Sequence, residues 1–129
     1  MVPRRMCWIN EESWVPMEQY FRIEERTAGD MPVVAVAGEI DVATAPQLRE
    51  CLHGVIAGGH ATLVLDLLEV TFLDSTALGV LVGALKRCRE LGGELHVVVV
   101  DPRIMKIFEI TGLTKVFTIA DSLAAAGAA

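Results

Sequence analysis

One segment, residues 71–83, limits what this chain can fold into more than any other. It reads TFLDSTALGVLVG and follows residues 61–67, an apolar run typical of a buried β-strand. Asp74, Ser75 and Thr76 are of types that favour helix N-termini, and no charged residue follows until position 86. The segment predicts a strand, a turn and a helix that starts at Ser75. There, a hydroxyl could cap the helix or a phosphate could be stabilised by its dipole, and local physics leaves both open.

Strands and helices are predicted to alternate along most of the chain. Apolar runs and period-2 alternation predict five strands, and 3.6-residue periodicity predicts four helices. The predicted strands are residues 20–26, 33–38, 61–67, 95–100 and 116–119. This order predicts an α/β fold with a mostly parallel sheet and an N-terminal hairpin at one edge.

Capping residues and glycines mark the ends of the other predicted helices. The predicted N-terminal caps are Thr44, with Gln47 completing a capping box, then Asp101 before Pro102, and finally Asp121 with Ser122. Glycines at 58–59, 92–93 and 112 are predicted to end the first three helices. The Asp121 and Ser122 cap would open a fourth helix at the C-terminus.

The length of 129 residues suits a single domain. Residues 1–16 show no periodicity, so they are predicted to be a flexible N-terminal extension to a domain of residues 17–129. No signal-peptide pattern follows Arg4 and Arg5, and the apolar run 77–85 is shorter than the roughly 20 residues of a membrane span. We expect a cytoplasmic protein.

Net charge limits the classes of partner. Seventeen acidic and eleven basic residues give a formal charge of −6. This excess of acid argues against nucleic acid and against an anionic membrane surface, because both require clustered Lys and Arg. Another protein remains a suitable partner.

No pattern of catalytic, metal-binding or cofactor-binding residues stands out. The histidines (His53, His60 and His96) lie on a predicted helix, a loop and a strand, with no candidate nucleophile beside them in sequence. The glycine pairs match no phosphate-binding loop. The cysteines (Cys7, Cys51 and Cys88) form no metal-binding motif, and Cys51 and Cys88 are predicted to be buried free thiols. We expect no enzyme activity, metal or cofactor.

Acidic residues raise a second possibility, a metal-dependent phosphoacceptor site of the receiver-domain kind. Asp41, Asp66, Asp74 and Asp101 fall at or near the ends of predicted strands, where open α/β sheets place their sites. However, no two of them are adjacent, the last predicted strand lacks the lysine such a site needs, and two of them are explained as helix caps.

Gly79 and Gly83 interrupt the apolar helix that Ser75 opens. Each lowers helix propensity by about 1 kcal/mol relative to alanine. Glycine at these positions would allow close approach of either a partner protein or a neighbouring element of the same domain, and the sequence does not distinguish the two.

Several motifs, in their order along the chain, resemble the STAS domain of bacterial anti-sigma factor antagonists. The most specific is the run from Val70 to Gly79, which resembles the family's signature around its phosphorylated serine. Residues 38–41 (GEID), 92–95 (GGEL), 107–108 (IF) and 111–113 (TGL) resemble its other landmarks. Ala77 departs from the pattern, since many members have glycine there.

The resemblance implies a STAS fold and a switch in partner binding. Ser75 would be phosphorylated by an anti-sigma factor that is itself a serine kinase using ATP, and a PP2C-type phosphatase would reverse the modification. The unphosphorylated form would bind the anti-sigma factor and release the sigma factor. The expected partner-binding residues are Asp41, Asp74, Ser75, Thr76 and Gly79. The alternative is a STAS scaffold or accessory subunit, of stressosome or lipid-transporter type, in which Ser75 only caps the helix.

Overall fold

A six-stranded sheet with helices packed on one face forms the fold. The computed structural model describes the backbone of residues 6–8 and the whole of residues 21–127. The strands are β1 (Met6–Trp8), β2 (Arg22–Ala28), β3 (Met31–Ile40), β4 (Leu63–Leu73), β5 (Leu95–Val98) and β6 (Thr118–Ala120). The helices are α1 (Ala45–Ala57), α2 (Ser75–Glu90) and α3 (Pro102–Ile110), and a 3₁₀ turn follows at Leu113–Lys115.

Spatial order in the sheet follows chain order, from β1 to β6. The first three strands pair antiparallel, and β3, β4, β5 and β6 pair parallel. The predicted α/β class, the mostly parallel sheet and the β2–β3 hairpin are confirmed. Strand β1, from the predicted extension, pairs with the outer strand of the hairpin and adds a sixth strand to the predicted five. The division into a flexible residue 1–16 extension and a residue 17–129 domain falls partly outside the described residues and stays a prediction.

The main core lies between the helices and one face of the sheet. It contains apolar residues from β2–β5 and from all three helices, including the fully buried Leu48, Leu65 and Leu81. Neighbouring strand residues point to the opposite face, where Val33, Val64 and Val98 pack with Ala126 of the C-terminal segment in a smaller cluster. Strand β5 is therefore covered on both faces, as its continuous apolar run predicts.

Strand β4 continues well past the predicted end at residue 67. Its parallel pairing with β3 extends to the Ile40 and Leu73 pair, and two irregularities in register, between Ala35 and Ala37 and between Gly38 and Glu39, each place an extra residue in β4. The extra residues interrupt strict alternation, which is why the sequence pattern predicts a shorter strand. This extension carries the chain to the start of α2.

Two predicted helix features are wrong. Thr44 precedes α1 but its side chain caps no helix N–H, so the predicted capping box with Gln47 does not form. Residues 122–127 form successive turns rather than a fourth helix, although the Ser122 hydroxyl accepts the N–H of Ala125 at 3.0 Å, as a cap would. Gly127 then adopts a left-handed conformation (φ 88°), which ends helical geometry after these turns.

None of the helices in the described part of the chain combines the length and apolar character needed to cross a bilayer.

Candidate functional site

The junction between β4 and α2 is fixed at Asp74. This residue is extended (φ −110°, ψ −173°), and its carboxylate accepts the N–H of Ala77 at 3.0 Å. Its own N–H donates to the carbonyl of Ile40 at 3.2 Å, which ties the start of α2 to the end of β3. Leu73 before it and Ala77 after it are buried. The helix start is consequently held from both the strand side and the helix side.

Ser75 is the first residue of α2 and does not cap it. Asp74 occupies the capping position, whereas the Ser75 side chain is exposed and forms no hydrogen bond within the described residues. The interpretation of Ser75 as the helix cap is therefore wrong, because the aspartate one residue earlier accepts the N–H that a cap would accept. Thr76, the second helical residue, is also exposed. The turn presents two hydroxyls to solvent.

Asp41 closes the turn between β3 and α1. Its carboxylate accepts the N–H groups of Ala43 at 3.0 Å and Thr44 at 3.1 Å, and the Thr44 hydroxyl donates to the carbonyl of Glu39 at 3.0 Å. Neither N–H belongs to α1, so the Asp41 carboxylate stabilises the turn before the helix and does not replace the cap that the sequence pattern assigned to Thr44. The turn holds Val42 outward, with 70% of its surface exposed.

Large exposed apolar side chains gather at the carboxyl ends of the parallel strands. Among the described residues there are six such side chains, and three lie at or just beyond the ends of β3, β4 and β5: Val42, Phe72 and Val100. We call these three residues the apolar rim. Sequence reasoning missed them, because an apolar residue beside a buried strand looks like part of the core. The only signal was that Phe72 breaks the alternation of β4.

Gly79 and Gly83 lie on the exposed face of α2. A Cβ placed on either glycine would meet no atom within 4 Å. Close packing inside the domain therefore does not explain them, and approach of a partner protein stays a prediction. Ser75, Gly79 and Gly83 are spaced four residues apart, so they follow one side of the helix.

The four aspartates considered for a receiver-like site serve separate local roles. Asp66 is 7% exposed within β4, where it accepts the N–H of Leu68 at 2.9 Å and pairs with Arg26 at 3.3 Å. Asp101 caps α3 and pairs with Arg103 at 2.8 Å. No group of three or more potential metal ligands occurs among the residues that the structure describes. The geometry gives no support to a metal-dependent phosphoacceptor.

Two pKa shifts reflect these local environments. Hydrogen bonds from the Arg103 side chain and backbone lower the pKa of Asp101. Burial raises the pKa of the Cys88 thiol, and the negative charge of Glu94 adds to the effect. Cys51 and Cys88 are both buried thiols, as predicted, and the Cys51 thiol donates to Glu25 at 3.4 Å, whereas the Cys7 side chain lies outside the described residues.

Comparison with known proteins gives consistent results in sequence and structure. The profile of the STAS domain family matches residues 22–126. An anti-sigma-B factor antagonist from Listeria monocytogenes is 41% identical over 97 residues, which cover 75% of this chain and 84% of the relative. A relative of the same name from Staphylococcus aureus is 41% identical over 91 residues, covering 70% of this chain and 84% of the relative.

Among solved structures, an anti-sigma factor antagonist from Mycobacterium paratuberculosis aligns with a TM-score of 0.77 and 30% identity, covering 85% of this chain and 93% of that one. The Bacillus cell fate determinant SpoIIAA in its phosphorylated form aligns with a TM-score of 0.62 and 22% identity, covering 83% of this chain and 96% of that one. At that identity the second match shows the shared fold alone. The chain belongs to the STAS domain family, among the anti-sigma factor antagonists.

Proposed function

We propose that this protein is an anti-sigma factor antagonist controlled by phosphorylation of Ser75. The unphosphorylated form binds an anti-sigma factor in the cytoplasm and releases the sigma factor. The anti-sigma factor is itself a serine kinase that transfers phosphate from ATP to Ser75, and a PP2C-type phosphatase removes it. The protein acts by binding and is not an enzyme. The observation that carries the proposal is that Asp74 caps α2, so the exposed hydroxyl of Ser75 is free to accept phosphate.

The apolar rim supports a protein as the partner. Its three side chains lie at the carboxyl ends of the parallel strands, where α2 begins, and Phe72, which is 46% exposed, is three residues before Ser75. Clustered exposed apolar side chains on a soluble domain commonly mark protein–protein contacts. In this arrangement a partner that reaches Ser75 also buries apolar surface.

The partner-binding residues expected from the sequence take distinct parts in this proposal. Ser75, Thr76 and Gly79 form the exposed face of α2 that the partner contacts directly. Asp74 and Asp41 act mainly by fixing the backbone, since their carboxylates accept N–H groups of their own turns. Asp41 contributes to binding through the turn that projects Val42.

Phosphorylation of Ser75 would release the anti-sigma factor by adding negative charge to the exposed face of α2. A phosphate adds about −1.5 to −2 charges at neutral pH. Burying it against an apolar partner surface would require its desolvation, and the carboxylate of Asp74 beside it increases the local negative potential. The fold itself would persist, because the cap, the strand contact of Asp74 and the buried Ala77 do not involve the Ser75 side chain.

The test is incubation with the cognate kinase and ATP, followed by binding measurements. We expect phosphate on the wild-type protein and none on Ser75→Ala, whereas Ser122→Ala, a matched serine at the C-terminal turn, should be phosphorylated like wild type. Ser75→Asp should lose affinity for the anti-sigma factor. Uptake of phosphate by Ser75→Ala would show that the site is wrong, and normal binding of Ser75→Asp would show that the switch is wrong.

A purification from native lysate tests the partner class. We expect the anti-sigma kinase to be recovered with the wild-type protein and lost with Ser75→Asp. Recovery of a transporter ATPase or a stressosome assembly without any such kinase would contradict the proposal and indicate the scaffold alternative.

A further inference from the structure

Two hydroxyl groups compete for the role of phosphoacceptor at the start of α2. Ser75 and Thr76 are the first two residues of the helix, and both side chains are exposed. Exposure alone therefore does not select Ser75. What distinguishes the two residues is their position relative to the helix start, and Asp74 sets that position.

Asp74 is held in the capping position by contacts on two sides. Its carboxylate accepts the N–H of Ala77, the third helical residue, and its N–H donates to Ile40 of β3. Resting on the function proposed above, we infer that Asp74 is the positioning residue that makes Ser75, rather than Thr76, the phosphoacceptor. It does so by taking the cap, which makes Ser75 the first residue of the helix and Thr76 the second.

Removal of the Asp74 side chain would change which residue caps the helix. Serine is among the preferred capping residues, so Ser75 would move into the vacant role and accept the N–H of Leu78, three residues on. Its hydroxyl would then turn toward the helix backbone. Thr76 would become the first helical residue and would present the free hydroxyl to the kinase.

The reaction itself does not involve Asp74. The Ser75 Oγ forms a bond to the γ-phosphorus of ATP while the bond from that phosphorus to the β,γ-bridging oxygen breaks. ADP leaves with the bonding pair, and the hydroxyl proton passes to a base on the kinase. Asp74 accepts a backbone N–H throughout and acts only through the geometry of its neighbour.

The experiment compares Asp74→Ala, Asp74→Gly and Asp74→Asn with wild type, using kinase, ATP and site-resolved mass spectrometry. Alanine and glycine lack a capping oxygen, and glycine provides a variant that costs little stability at this position. We expect the ratio of phosphate on Ser75 to phosphate on Thr76 to fall at least about fivefold in Asp74→Ala, the factor that corresponds to loss of a typical cap, and to fall in the same direction but less in Asp74→Gly, because glycine is the better cap of the two. Asparagine, which caps equally well, should restore the wild-type ratio.

Asp101→Ala is the control, because Asp101 also caps a helix with its carboxylate, accepting the N–H of Arg103 in α3 at 2.9 Å. Any decrease in overall phosphorylation of Asp101→Ala should match its loss of folded protein. The ratio of phosphate on Ser75 to phosphate on Thr76 should be unchanged. A general loss of folding would lower both sites together and would not change the ratio.

Two results would overturn the inference. An unchanged ratio in Asp74→Ala and Asp74→Gly would show that the cap does not select the acceptor. A shift to Thr76 in Asp74→Asn would show that the charge, not the cap, decides. In either case a wild-type protein phosphorylated on Ser75 leaves the proposed function intact, whereas a wild-type protein without phosphate on Ser75 contradicts that function itself.

Discussion

Replacing Gly79 with alanine should stabilise the fold and weaken partner binding at the same time. Gly79 lies within α2, is exposed, and has no atom within 4 Å of where a Cβ would be. The new methyl group would therefore cause no clash and would bury almost no surface. Only the conformational freedom of the chain changes.

The magnitude follows from helix propensity. Glycine in a helix interior is about 0.8–1.0 kcal/mol less favourable than alanine, because the unfolded glycine has more conformations to lose. For a domain of this size, a gain of about 1 kcal/mol corresponds to a melting temperature roughly 3–6 °C higher. Gly83→Ala should behave similarly, since the space around it is also open.

Partner binding should change in the opposite direction. The proposed interface includes the face of α2 that contains Ser75 and Gly79, so a side chain there holds the partner away from the helix. We expect a measurable loss of affinity for Gly79→Ala and a larger one for Gly79→Leu. Titration calorimetry of each unphosphorylated variant with the anti-sigma factor measures the affinity. Thermal denaturation of the same samples measures the stability.

Gly54→Ala is the matched control, because Gly54 is an exposed glycine near the C-terminal end of α1 with open space around it. It should gain similar stability with unchanged affinity. A Gly79→Ala variant that is less stable than wild type would refute the assigned open environment. Unchanged affinity in both Gly79→Ala and Gly79→Leu would remove this face from the interface.

Three further predictions concern the stability of the domain outside the candidate site. Gly93→Ala should destabilise the fold by several kcal/mol, about as much as a severe core substitution, because a Cβ there would overlap the backbone carbonyl of Ala61. Urea denaturation measures the change in the free energy of unfolding, and a loss below about 1 kcal/mol would contradict the close approach of Gly93 to Ala61. Cys88 should resist thiol reagents at neutral pH until the protein unfolds, since burial raises its pKa, and its contribution to stability should be lost as the pH rises past the ordinary thiol range; rapid labelling of the native protein would contradict this. The lowered pKa of Asp101 means that its contribution is present at neutral pH and is lost as the pH falls below about 4, so the stability difference between wild type and Asp101→Asn should shrink in acid denaturation experiments; a difference that grows on acidification would contradict the ion pair with Arg103.

The sequence pattern predicted local features well where the cause was also local. The helix starts at Ser75 and Pro102, and the glycine-terminated helix ends, depend on the conformational preferences of a few neighbouring residues. The buried positions of α2, such as Leu81 and Leu85, follow from 3.6-residue periodicity.

Contacts between distant segments account for several of the features that the sequence pattern missed, whereas the mistaken cap at Thr44 has a local cause, because its hydroxyl is engaged by Asp41 and Glu39. Asp66 forms an ion pair with Arg26, forty residues earlier in the chain, and no local sequence pattern shows that pairing. The two irregularities in β4 arise from its register with β3, and the exposure of Phe72 follows from them. The same limit applies to the C-terminal segment, where a capping serine begins turns that pack against the sheet through Ala126.

By itself, the sequence determined the class of fold, the position of the β4–α2 turn and the three candidate residues Asp74, Ser75 and Thr76. It did not determine which of them caps the helix, since all three types have suitable oxygens. The tertiary structure decided that, because the hydrogen bond from Asp74 to Ile40 of β3 fixes the helix start at the aspartate. The serine that follows is left exposed with its hydroxyl free, and that placement supports the proposal that Ser75 is the phosphorylation site.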